Sequence, residues 1–314
     1  MIILKRFKST LSKKHLNPIL QREGTGGRSS ISGHTTTVFG STGFLGRYLV
    51  NNLGKRGSHV VVPFRGTEDE KRHLKLMGDL GQIVPLSFDL RNDERIIECI
   101  RHSDVVYNLI GKDFQTKNFN FQKVHVDGAR TLAKLAKQCG VSKFIHVSAL
   151  NADPDSKSLF LKTKGLGEKA VLEEFPEATI VRPGYMYGHE DRFWNRFGFY
   201  TKWSPIGMPL INKGKTIIRP VYVGDVAAVL AQLEEVTFSN KLVELAGFLA
   251  GVAERLMFNP VATADEVERY FVSDSLQNGS LKFEDFGIKP HTVEETISRF
   301  VRMYQSEDHI GIQI

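Results

Sequence analysis

The chain has 314 residues, 41% of them hydrophobic and 25% charged, with 28 Gly, 11 Pro and a formal net charge of +7. These proportions belong to a globular protein with a sizeable core and exclude disordered and collagen-like classes. The two cysteines, Cys99 and Cys139, form no CxxC pair, and no run of about 18 uncharged apolar residues occurs, so neither a zinc or disulfide framework nor a transmembrane helix is expected, and the compartment is expected to be reducing.

Six of the seven net positive charges sit in residues 1–28, where Lys5, Arg6, Lys8, Lys13, Lys14, Arg22 and Arg28 face the single acid Glu23. Leu4, Phe7 and Leu11 recur at helical spacing beside Ser9, Thr10 and Ser12. A basic, hydroxyl-rich, acid-poor and amphipathic segment reads as a mitochondrial transit peptide, with cleavage expected between Gly24 and Ser32. A disordered basic tail and a nucleic-acid arm are the alternatives. Once the segment is removed, the remaining charge of +1 offers little to a polyphosphate, so no nucleic-acid partner is expected.

A β-rich run at Thr35–Phe39 leads into Gly40-Ser41-Thr42-Gly43-Phe44-Leu45-Gly46, then a helix over Arg47–Leu53 and a second strand over His59–Phe64. In this strand, Gly-rich turn, helix, strand order, Gly40 permits a tight turn and Gly43 lets backbone approach a pyrophosphate. Gly46 lets the helix pack closely, and the helix N-terminus supplies N–H groups. Arg65 stands where an acidic residue would bind the ribose 2′-OH of NAD; an arginine there suits the 2′-phosphate of NADP(H). It could instead pair with Glu68, Asp69 or Glu70.

The alternation continues with a strand over Ile83–Phe88 ending in Asp89, a helix over Arg95–Arg101, strands over Val105–Ile110, Phe144–Val147 and Thr179–Arg182, and a long helix over Val126–Cys139. This predicts an α/β fold: a doubly wound, Rossmann-type parallel sheet over 33–185, followed by a smaller carboxyl-terminal lobe over 186–314 interleaved with late sheet elements. Asp89 is either an adenine contact or a helix cap. Leu109, Ile110 and Gly111 after strand four, and Pro183 after strand six, fall at the ligand-binding ends of strands. Asp225 is expected to cap a helix over Val226–Glu235.

With Gly40-x-x-Gly43-x-x-Gly46, Asp89, Asn108-Leu109-Ile110-Gly111, His146-Val147-Ser148, Arg182-Pro183-Gly184 and Tyr222-Val223-Gly224-Asp225 in order, the chain resembles an extended or atypical short-chain dehydrogenase/reductase. Blocks such as Met77-Gly78-Asp79-Leu80-Gly81-Gln82, Asn108 to Asp113, Thr116 to Phe119 and Glu190 to Phe193 resemble the short-chain-dehydrogenase-like accessory subunits of mitochondrial respiratory complex I. That resemblance implies a tightly bound structural NADPH and complex I subunits as partners, near the junction of the matrix and membrane arms. It also implies a peripheral position on the matrix side of the inner membrane.

Catalytic members of the superfamily use a Ser, a Tyr and a Lys four residues after the Tyr. The resemblance maps these onto Ser148, Phe160 and Lys164. Phe160 has no ionisable proton, and general acid–base help is worth on the order of 10²–10⁴ in rate, so no catalysis is expected, with Ser148 and Lys164 as remnants. Lys164 could hold the nicotinamide ribose or be a solvated helix lysine; Ser148 could be a turn hydroxyl; Tyr185 and Tyr187 are the other candidate proton donors. No metal site is expected. Arg192–Trp203, rich in aromatic and basic residues, reads as a lid or core helix, or as a docking surface for a subunit or lipid headgroups. After Gly247 the resemblance weakens, in what reads as a shortened segment, and returns at Phe283–Ile288. A free-standing NADPH-dependent reductase or isomerase and an NADP(H)-sensing protein are the competing functions.

Overall fold

The structure, a computed structural model, describes residues 31–191, 195, 216–236, 241–247, 264–269 and 271–296. The basic amino-terminal segment, residues 248–263 and all of 192–203 except Asn195 lie outside the described residues. In chain order the elements are β1 (Thr35–Phe39), α1 (Phe44–Lys55), β2 (His59–Phe64), α2 (Glu68–Lys75), β3 (Ile83–Ser87), α3 (Asp93–Ile100) and β4 (Val105–Asn108). A π-helical turn (Gln122–Asp127) then runs into α4 (Gly128–Cys139), followed by β5 (Lys143–Val147), α5 (Leu159–Glu174), β6 (Thr179–Pro183) and β7 (Met186–Tyr187). The remainder comprises β8 (Val221–Tyr222), α6 (Val223–Gln232), β9 (Leu242–Leu245), α7 (Ala264–Arg269) and a 3-10 turn at Phe283–Phe286.

Seven strands form one parallel sheet in the order β3-β2-β1-β4-β5-β6-β9, and β7 pairs with β8 separately. Parallel strands covered on both faces need apolar side chains pointing both ways, which is why runs such as Val105-Val106-Tyr107 show no polar alternation. Val38, Tyr107 and Ile145 pack under α1 and α6, while Phe39, Val106 and Phe144 pack under α3, α4 and α5. Strand order reverses at β1, which pairs with β2 on one side and β4 on the other. A crevice opens outside the carboxyl ends of strands at such a switch point.

Two prolines shape the β2–β3 side. Pro63, lacking an N–H, follows the last β1–β2 pair, Thr37 with Val61, so the ladder stops one residue short of the Gly-rich turn. On the sheet's edge, Val60 N donates to Gln82 O and Phe88 N to Phe64 O. That pattern turns the position of Pro85 outward, where its missing N–H denies a template to other chains. On the far side, Arg182 of β6 donates through Nε and Nη2 to Glu168 of α5 at 2.9 and 2.6 Å, with Glu244 of β9 3.5 Å from Nη1. This buried triad fixes α5 against the sheet.

Three sequence expectations need correction. Strand four ends at Asn108 rather than Ile110, because the Asn108 side chain turns the chain by accepting Ile110 N–H at 3.1 Å. The helix after the glycines starts at Phe44, so the turn is tighter than a start at Arg47 implied. Asp225 does not cap a helix: α6 begins at Val223, and the Asp225 carboxylate accepts from His291 N at 2.7 Å and sits 2.8 Å from its Nδ1.

Candidate cofactor site

The glycine turn is fixed partly by the chain itself and partly by its open face. Gly40 has φ +84°, and a Cβ there would fall 3.1 Å from the carbonyl carbon of Leu109; one on Gly46 would fall 2.3 Å from Gly40 O. Gly43 is exposed and a Cβ on it would meet only Gly40 O, at 3.2 Å. Its lack of a side chain therefore leaves room outside the protein. Asn92 caps α3 and Ser158 caps α5, but α1 has no capping side chain and no acid in its first turn. Its first-turn N–H groups and the positive end of its dipole face the crevice, a cradle that fits a pyrophosphate. Of the other turn residues, Ser41 is buried and donates to Pro63 O at 3.3 Å, Thr42 O accepts from Arg47 Nε, Phe44 packs edge-on against Tyr48, and Leu45 enters the core.

Across the crevice, a Cβ on Gly111 would lie 3.2 Å from Lys164 Nζ, so the ends of β4 and α5 meet there. Lys164 is 6% exposed, which corrects the reading of it as a solvated helix lysine. Its ammonium donates to Val147 O at 3.2 Å, and burial pulls its pKa down to about 8. Ser148 Oγ and His146 Nε2, on one face of β5 at alternate positions, are buried and have no hydrogen-bond partner. Ser148 is thus not a turn hydroxyl. Because Asn108 Nδ2 lies 3.1 Å from His146 Nδ1, that nitrogen is the acceptor and the orphaned Nε2 carries the proton. Buried polar groups left open in this way fit a polar ligand that completes them. Burial holds His146 at about 3 and, together with the Lys164 charge, His125 at about 2, so both rings are neutral. His125 Nε2 accepts Lys112 N–H at 3.2 Å while Nδ1 faces the Thr163 hydroxyl at 3.0 Å.

Phe160 lies one helical turn before Lys164. Its ring is enclosed by Phe121 and His125, both edge-on, with the Arg269 guanidinium 4.3 Å above its centre. Arg269 is itself 8% exposed. Asp265, also on α7, accepts from Ser158 Oγ at 3.0 Å and Phe160 N at 3.3 Å. The Tyr187 hydroxyl accepts from Thr296 Oγ1 at 3.0 Å, and burial pushes it up to about 12; it is held away from proton transfer near neutral pH. Leu109 and Ile110 are half-buried behind the turn, and Pro183 is buried at the end of β6.

Arg65 is exposed just beyond β2, 5.2 Å from the centre of the Phe119 ring. Asp89 is not a helix cap, since Asn92 takes that place; it binds Arg91 through N, Nε and Nη2, and those bonds hold its carboxyl at about 2. The structure thus gathers Gly40 to Gly46, Arg65, Asp89, Gly111, Ser148 and Lys164 along the carboxyl ends of the parallel strands. Sequence reasoning missed His125, His146, Arg91, Phe119, Asp265 and Arg269. Only His146 carried a signal, two residues before Ser148 on a strand. Among the described residues no cluster of metal-ligating side chains occurs, and no helix is long and apolar enough to cross a membrane.

Residues 36–233 match the NAD dependent epimerase/dehydratase family. The chain is 39% identical over 325 residues to the NADH-ubiquinone oxidoreductase 40 kDa subunit, mitochondrial, of Neurospora crassa, covering 94% of this chain and 85% of that protein. It is 39% identical over 337 residues to NADH dehydrogenase [ubiquinone] 1 alpha subcomplex subunit 9, mitochondrial, of Rattus norvegicus, covering 96% and 89%. In fold it is similar to a dTDP-glucose 4,6-dehydratase from Streptomyces venezuelae solved with NAD and TYD bound, with a TM-score of 0.63 at 16% identity over 88% of this chain and 98% of that one. The chain belongs to the NAD dependent epimerase/dehydratase family and, within it, to the mitochondrial alpha subcomplex subunit 9 group.

Proposed function

We propose that the chain is an accessory subunit of mitochondrial NADH:ubiquinone oxidoreductase that holds NADPH as a structural cofactor and carries out no reaction of its own. Identity of 39% with named subunits of that enzyme over more than nine-tenths of the chain supports the complex as its partner. In this reading residues 1–28 address it to the mitochondrion. It then sits on the matrix side of the inner membrane, against other subunits near the junction of the two arms.

The observation that carries the lack of chemistry is Phe160. A proton donor is needed at that position, and a phenyl ring stands there under the Arg269 guanidinium, 4.3 Å away. The cradle beside it is intact. When bound, a nicotinamide dinucleotide would supply hydride chemistry. The first turn of α1 would hold its pyrophosphate, with Gly111 and Leu109 beside it. Lys164 and Ser148 would reach the nicotinamide ribose, and Arg65 the adenosine 2′-phosphate. Binding only to the folded state would stabilise it by roughly 2.7 kcal/mol at a free concentration a hundredfold above Kd, which couples assembly of the complex to cofactor supply.

Native electrophoresis of solubilised mitochondria tests the proposal: the chain is expected to co-migrate with a very large NADH-oxidising assembly. Migration as a monomer or small oligomer that oxidises NADPH with a carbonyl substrate would overturn it in favour of a free-standing reductase.

A further inference from the structure

Phe119 lies in the loop between β4 and the π-helical turn, and three cations surround its ring. Arg65 Cζ is 5.2 Å from the ring centre, Arg91 Cζ 5.6 Å and Lys112 Nζ 5.6 Å. They come from the carboxyl ends of β2, β3 and β4 respectively, so the sheet itself converges them. Each cation–ring contact at an exposed site is weak, and three like charges around one ring repel. The acid described among them, Asp89, is engaged by Arg91 through Nε at 3.1 Å and Nη2 at 2.7 Å, a two-pronged brace that leaves Arg91 Nη1 without a partner among the described residues. Three cations against one carboxylate leave a local charge of about +2, and a phosphate monoester carries about −1.5 to −2 near neutral pH.

We propose that Arg65, Arg91 and Lys112, gathered around Phe119, form a discriminating site for the 2′-phosphate of an adenine dinucleotide phosphate, with Asp89 acting as the brace of Arg91 rather than as an adenine contact. This rests on the cofactor reading above and adds to it. A lone Arg65 on an exposed strand end can swing away. Two guanidinium groups and an ammonium held by a ring and a carboxylate are preorganised, which is what bidentate anion recognition requires. The brace explains why an acidic residue at the end of β3 is compatible with an anionic ligand: its charge is already spent on Arg91.

The test is calorimetric titration of the full-length chain with NADPH, NADH and adenosine 2′,5′-bisphosphate. Arg91→Gln and Arg65→Gln are each expected to weaken NADPH and the bisphosphate by roughly 10- to 100-fold, the loss of a hydrogen bond between charged groups, with NADH affinity unchanged. Lys112→Gln is expected to act in the same direction. Asp89→Asn is expected to weaken NADPH more than NADH. Wild-type NADPH affinity in Arg91→Gln, or equal weakening of both dinucleotides, overturns the three-cation site while leaving the cofactor reading intact. Equal weakening by Asp89→Asn overturns the brace and returns Asp89 to adenine. A wild-type chain that binds NADH and NADPH alike and ignores the bisphosphate overturns the NADPH reading, and this site with it.

Discussion

Gly43 and Gly46 are separated by three residues and demand glycine for opposite reasons. A Cβ on Gly46 would fall 2.3 Å from Gly40 O, inside the fold, whereas Gly43 faces outward and would meet only Gly40 O at 3.2 Å. Gly43→Val is therefore expected to shift the stability of the cofactor-free chain by less than about 1 kcal/mol and to abolish the rise in Tm that NADPH produces. Gly46→Val is expected to lower the cofactor-free Tm outright. Thermal melts with and without NADPH check both; a Gly43→Val chain that keeps the NADPH shift contradicts the cradle. The glycine spacing, Arg65, Ser148 and Lys164 were legible because each belongs to a local pattern of strand end, turn or helix. Arg269 over Phe160 was not, since 109 positions separate the pair and neither residue has a local signature of the contact. Arg91 and Phe119 were hidden for the same reason: an ordinary surface arginine and a loop aromatic become a site only when the sheet brings their loops together.

The strands that could be read from sequence are those whose apolar runs are bounded by turn residues. The π-helical turn at Gln122–Asp127 was taken as the start of a regular helix, because the side-chain pattern barely changes when one backbone bond lengthens. β9 was missed: Leu-Val-Glu-Leu carries Glu244, which reads as a surface residue until Arg182 is placed beside it. The amino-terminal end of α5 depends on another element in the same way. Ser158 caps it, accepting Leu161 N–H at 3.4 Å, and Asp265 of α7 holds both the Ser158 hydroxyl and Phe160 N–H. Asp265→Ala would leave these donors without their acceptor and release the helix that carries Arg269. A loss of about 1–2 kcal/mol in urea unfolding is expected, with faster hydrogen exchange over residues 158–162. Asp265→Asn, which keeps an acceptor, is expected to lose less than half as much. Equal losses in the two variants would show that the charge, not the hydrogen bonds, fixes the docking.

A site built from buried ionisable groups leaves its mark on the stability of the entire fold. His125 and His146, held neutral at about 2 and about 3, take up protons more readily in the unfolded chain, where the imidazole pKa is near 6.5. The sign follows: stability is present above pH 6.5 and is lost as pH falls below it, by about 1.4 kcal/mol per pH unit for each ring. Burial pushes the carboxyls of Glu234 and Asp274 up, which acts in the opposite sense and offsets part of the loss at low pH. On the alkaline side, Lys164 at about 8 gains stability as pH rises toward 10.5, while Cys99, pushed up to about 12, loses it above pH 9. The opposed alkaline effects leave the acid limb as the interpretable one. His146→Gln removes one titration and keeps an acceptor for Asn108, and Glu234 and Asp274 contribute equally to both proteins and cancel in the comparison. Urea unfolding of wild type and His146→Gln at pH 7 and pH 5 is expected to show the variant losing about 1–2 kcal/mol less than wild type over that interval. Identical losses would mean that His146 is protonated in the folded chain, and the orphaned Nε2–H would then need a partner that neutralises a charge rather than one that accepts a hydrogen bond.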